Sequence, residues 1–143
     1  PRPMIHSGDY DFSFSGLKTA VLYYLRDQKF NPLIHNSKFM ILKKNVCASF
    51  QQAAIDVLAA KTMKAAGEFK AKSVLLCGGV AANKALQSAF ESRIMNYELG
   101  EVKFYVPELK YNTDNAVMIA VAAYMNLFRK KKYPLEANGN SGL

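Results

Sequence analysis

The chain has no tryptophan, two cysteines, two histidines and five prolines in 143 residues. Each scarcity excludes something. Cys47 and Cys77 are far apart, form no CxxC pair and sit in apolar surroundings, which rules out a disulfide framework or zinc knuckle and leads us to expect buried, reduced thiols in a cytoplasmic protein. His6 and His35 are isolated, so no zinc or iron site assembles from them by spacing alone. Neither GxxxxGK[ST] nor GxGxxG occurs, which excludes the common phosphate fingerprints. There is no HExxH and no Ser/His/Asp or Cys/His set, so the chain is not a self-sufficient hydrolase. The longest apolar stretch, Ala116 to Met125, is well short of the roughly 20 residues of a membrane helix, and PRPMIHSGDYDF lacks the apolar centre of a signal peptide.

What is present is a half-hydrophobic chain with a formal charge of +8, long enough for one core and too short for two. The excess charge favours a polyanionic partner, although Lys38, Lys43, Lys44 and the Arg129 to Lys132 run also fit a solvated face or helix ends, which attract cations. Residues 1–136 read as one α/β lobe and 137–143 as a disordered tail.

Asp11 to Ser15 alternates like a half-buried strand, broken by Gly16. Leu17 to Gln28 carries one apolar stripe and reads as a helix stopped by Asn31-Pro32. A long helix is expected over Ser37 to Glu68, with Gly67 near its C-cap. Ser73 to Cys77 has the uniform hydrophobicity of a strand covered on both faces, and a helix follows from near Asn83. Val102 to Val106 reads as a second strand, stopped by Pro107. Thr113 or Asp114 then caps a helix reaching about Lys131.

Strand, helix, strand, helix implies parallel strands with a right-handed crossover, so the loops 78–83 and 107–114 should open on one sheet edge, where α/β ligands usually bind. Gly78-Gly79 permits a sharp turn and close approach of a ligand to main chain, and Asn83 offers an amide at a helix start; a plain turn and cap predict the same residues. Asp114 is a carboxylate of the second loop, suited either to a cation or to capping the next helix. Lys18, in DFSFSGLKT, is a further candidate anion contact.

Taken together, PRPM, DFSFSGLKTA, SFQQAAIDVL, GGVAANKAL and TDNAVMIA resemble, in order, the C-terminal half of the tRNA N6-adenosine threonylcarbamoyltransferases, the bacterial TsaD family of the actin/hexokinase-like ATPases. FSFSGLKT is closer to the bacterial and organellar branch than to the archaeal one. The resemblance implies one lobe of a ribonuclease H-like, actin-type fold, a parallel or mixed sheet flanked by helices. The implied activity is transfer of a threonylcarbamoyl group from threonylcarbamoyl-AMP, made with ATP, to the exocyclic amine of the adenosine beside the tRNA anticodon. It further implies that Gly78, Gly79 and Asn83 hold the adenosine, and that Asp114 ligates a divalent iron or zinc ion whose other ligands, including an HxxxH pair, belong to an N-terminal lobe. His6 and His35 do not match that pair. Asn112 stands where the family often has Cys. Expected partners are tRNA, a paralogous TsaB-type subunit and a small TsaE-type ATPase, with no membrane. A single lobe should be inactive alone. The alternatives are another kinase lobe of the same fold or a non-enzymatic nucleotide- or RNA-binding module.

Overall fold

The computed structural model describes residues 1–33, 36–96 and 102–129. His35, the 137–143 tail and the end of the last helix toward Lys131 lie outside these. Among the described residues the chain is α/β, with four helices and a two-stranded parallel sheet.

The first helix, α1 (Phe14–Asp27), begins earlier than expected. Asp11 to Ser15 is not a strand, because Ser13 caps the helix by accepting from the Gly16 N–H at 3.1 Å. Gly16 falls in the first turn, where a Cβ would lie 3.2 Å from Ser13 Oγ and 3.4 Å from Pro3; its role is close packing rather than strand breaking. The helix closes when Lys29 adopts φ 50° and Phe30 N–H returns to Leu25 O.

The second, α2 (Ser37–Glu68), matches its expected span, with Asn36 as cap. Gly67 is the penultimate residue of the helix, as its place near the end suggested, but the C-cap is Phe69. The turn after it is closed by Lys70 at φ 49° and a bond from Ala71 N–H to Ala66 O. Two stripes of α2 are covered. On one, Ile55, Ala59, Met63 and Ala66 meet Leu86, Phe90 and Ile94 of α3 (Lys84–Asn96) and Val74 of β1 (Ser73–Leu75), forming the core. On the other, Ala53, Val57 and Lys61 are buried. The Lys61 ammonium, 6% exposed, donates to Ser7 Oγ at 2.8 Å, Asp9 O at 2.8 Å and Asp9 Oδ1 at 3.1 Å. Three acceptors match its three donors, which makes a buried cation tolerable. Asp56 binds Arg2 at 2.6 Å and Arg93 at 3.0 Å, fastening the opening segment and α3 to α2.

Strand β1 pairs in parallel with β2 (Lys103–Tyr105), in the register Ser73 to Lys103, Val74 to Phe104 and Leu75 to Tyr105. Val74 is buried while Ser73 and Leu75 are exposed, so β1 is covered on one face and not two. Among the described residues, helices pack the Val74 side only. Phe104 stacks on Phe90 across that side, ring centroids 6.0 Å apart. Cys47 and Cys77 are both exposed, against the expectation of burial. Cys77 lies just past β1 where the chain leaves the sheet, and Cys47 lines a groove between α1 and α2. The last helix is α4 (Ala116–Phe128).

Candidate functional site

Both loops singled out in the sequence leave the same edge of the sheet. Parallel pairing continues through Leu76 N–H donating to Tyr105 O at 2.9 Å, so the turns after β1 and β2 start side by side.

The first is built for close approach. Gly78 has φ 85° and ψ 175°, a region open to glycine and costly for other residues, and it leads into a 3-10 turn over Gly79–Ala82. Gly79 has no positive φ, and an added Cβ at either glycine would meet nothing within 4 Å. A shelf of main chain is therefore uncovered by any of the described residues. Its far end is tied down: Gln87 Nε2 donates to Ala81 O at 2.6 Å, and Ala81 is fully buried. Asn83 Oδ1 accepts from Ala85 N–H at 3.0 Å and Leu86 N–H at 3.3 Å, which caps α3, while its Nδ2 donates to Gln51 Oε1 of α2 at 3.2 Å. The capping role of Asn83 is thus real, and one of its amide hydrogens has no partner among the described residues.

In the second loop neither Thr113 nor Asp114 is the cap. Asn115 caps α4, accepting from Met118 N–H at 3.0 Å, and its Nδ2 donates to Thr113 O at 2.8 Å. Asp114 is exposed and bonds to nothing among the described residues, so its carboxylate is available. No group of three His, Cys, Asp or Glu side chains that could hold a metal occurs among the described residues. Asp114 could serve as one oxygen ligand, and a complete site would need donors from elsewhere. Two positions earlier Asn112 is 5% exposed, and its Oδ1 has no hydrogen-bond partner among the described residues. A buried acceptor left unpaired costs about 1–3 kcal/mol, so this corner carries a polar atom that invites a donor. Sequence reasoning noted Asn112 only as a departure from Cys; its burial has no signal in a single sequence.

Lys18 lies exposed on α1, which packs on α2, and no bond or ion pair of its ammonium occurs among the described residues. Grooves of about 530 and 340 Å³ lie between α1 and α2, both largely apolar, and no residue of the two loops lines either. The candidate site is accordingly a ledge at the carboxyl edge of the sheet, from which the diglycine turn and the loop that carries Asn112 and Asp114 both depart.

The family model described as TsaD, tRNA N6-adenosine threonylcarbamoyltransferase, matches residues 1–121. The chain belongs to this family. It is 43% identical over 146 aligned positions to the tRNA N6-adenosine threonylcarbamoyltransferase of Geobacillus thermodenitrificans (strain NG80-2), covering all of this chain and 40% of that protein. The protein of the same name from Thermosipho africanus (strain TCF52B) is 44% identical over 91% of this chain and 36% of its own length. That from Bacillus anthracis is 40% identical, over all of this chain and 39% of its length. The chain therefore spans about two fifths of the length of the curated relatives it matches. In this family member both loops of the sheet edge fall inside the matched region. No helix of the described residues is long and apolar enough to cross a membrane.

Proposed function

We propose that this chain is one lobe of an actin-type enzyme that transfers a threonylcarbamoyl group from threonylcarbamoyl-AMP to the exocyclic amine of the adenosine next to the tRNA anticodon. Family membership supports the reading, and the single observation that carries it is the shared edge: the diglycine turn and the Asp114 turn leave adjacent parallel strands together. The charge of +8 suits a polyanionic substrate such as tRNA.

In this reading Gly78 and Gly79 admit the adenosine because no side chain occupies the space above them, and Asn83 offers it the remaining amide N–H. Lys18 supplies positive charge toward phosphate. Asp114 contributes one ligand to a divalent iron or zinc ion, which when bound would stabilise negative charge at phosphate and carbamoyl oxygens. The work of the ledge is to hold the activated carbamoyl donor still while the weak aromatic amine approaches, since orientation alone lowers such barriers substantially. AMP is the leaving group, and its retention by the diglycine turn fixes where the acyl carbon sits. A TsaB-type subunit and a TsaE-type ATPase complete the proposed assembly, in the cytoplasm.

The test uses the full-length enzyme carrying this segment. Metal content by mass spectrometry should fall clearly in Asp114→Ala relative to the parent, and tRNA nucleosides should lose threonylcarbamoyladenosine. Equal metal content would remove Asp114 from the site. Steeply salt-dependent tRNA binding with no affinity for AMP would favour the RNA-binding module instead.

A further inference from the structure

The amide of Asn83 has one orientation, and chemistry fixes it. The N–H groups of Ala85 and Leu86 both point at one end of that amide, and only the oxygen end accepts them. Nδ2 is thereby turned outward, where Gln51 Oε1 receives it at 3.2 Å. Gln51 is constrained in return, because its NH₂ group could not face another NH₂. It extends from α2 two residues before buried Ala53, on the helix that forms the centre of the core. No partner for Gln51 Nε2 occurs among the described residues, so the pair presents unpaired amide hydrogens from both residues.

We infer that Gln51 is a positioning residue for the nucleoside-binding turn: by accepting one Nδ2 hydrogen it holds the other in a single direction, as a donor to an acceptor atom of the adenosine, a ribose oxygen or ring nitrogen. The inference rests on the reading of the diglycine turn given above. Cap and glutamine together make Asn83 rigid between α2 and α3, while Gln87 steadies the other end of the turn at Ala81 O. Two side-chain amides from two different helices thus set the turn, and the ligand finds its donor already oriented.

The experiment compares Gln51→Leu, Gln51→Glu and Asn83→Asp in the full-length enzyme. Gln51→Leu removes the acceptor at similar volume; Gln51→Glu keeps an acceptor oxygen; Asn83→Asp keeps the capping oxygen and removes the donor. AMP affinity is read by calorimetry, with KM and kcat for tRNA modification and the melting temperature alongside. Gln51→Leu should weaken AMP and raise KM about five- to tenfold, the worth of one hydrogen bond, with kcat and melting temperature unchanged. Gln51→Glu should stay within about twofold of the parent, and Asn83→Asp should resemble Gln51→Leu or exceed it. Unchanged AMP affinity in Gln51→Leu with loss in Asn83→Asp would overturn the positioning role and leave the nucleoside turn standing. Unchanged affinity in both would overturn the turn itself. Equal losses in Gln51→Leu and Gln51→Glu, each with a lowered melting temperature, would reduce Gln51 to a structural residue and overturn the inference.

Discussion

The second half of α2 and the whole of α4 are built from much the same residues and meet opposite fates. From Ala53 to Ala66, α2 buries Ala, Ile, Val and Met on two stripes, and Met63 is 1% exposed. Helix α4 reads AVMIAVAAYMNLF, has no buried residue, and leaves Leu127 76% exposed. Hydrophobic composition is a demand for cover, and only neighbours can meet it. Around α2 they exist, namely α3, β1 and the opening segment tied by Lys61 and Asp56. Around α4 none of the described residues provides it.

Truncation breaks or sharpens that contrast most strongly. Met63→Ala should lower stability by about 2–5 kcal/mol, as a buried large side chain does, while Ile119→Ala in α4 should shift it by less than about 0.5 kcal/mol in this chain. Chemical denaturation of both variants decides; similar losses would mean that α4 is covered after all. A large Ile119→Ala effect confined to the full-length enzyme would show that the helix finds its cover there.

Next in size is the clasp on the covered side. Burial raises the Asp56 pKa, but hydrogen bonds from Gln52 and Arg2, and the charges of Arg2 and Arg93, outweigh it and hold the carboxyl below its ordinary range. A carboxylate depressed in the folded state adds stability above its unfolded value, near 3.9, and that contribution fades as pH falls through the lower folded value. Asp56→Asn should therefore cost about 1–2 kcal/mol at neutral pH, allowing for partly exposed arginines, and should flatten the parent's loss of stability below about pH 4. Urea midpoints across that range measure it.

The smallest effect concerns the cap of the uncovered helix. Asn115→Ala should remove about 1 kcal/mol from α4 and reduce helical circular dichroism, whereas Asp114→Ala should leave the helix signal unchanged, because Asp114 caps nothing.

Most of this architecture was legible because it depends on periodicity and punctuation. The span of α2, the cap position before α3 and the parallel strands all follow from local pattern. Where pattern has two solutions, packing chose. DFSFS alternates like a strand, yet Ser13 finds the Gly16 N–H and the segment winds into α1. Gly67 looked like a helix end, but Lys70 took the left-handed position instead. The thiols looked buried because their neighbours are apolar in sequence, and burial of Leu75 and Cys77 needed a second layer of helices that the described residues do not contain. At the site, residue types were readable and partnerships were not. Asn83 was visible as amide and cap, while Gln51, thirty-two positions away, has no sequence mark that it would meet it.

The pairing of β1 with β2 also carries a cost in chain entropy. Each paired residue waits for a partner beyond the whole of α3, and joining distant segments is entropically slower than local winding. The loop that this pairing closes, 30 residues from Ser73 to Lys103, is no longer than the one closed between α2 and α3, where Asp56 meets Arg93 37 positions on. Closure entropy therefore gives the sheet no delay relative to the core, and the edge that carries the diglycine turn shares the core's cost of assembly.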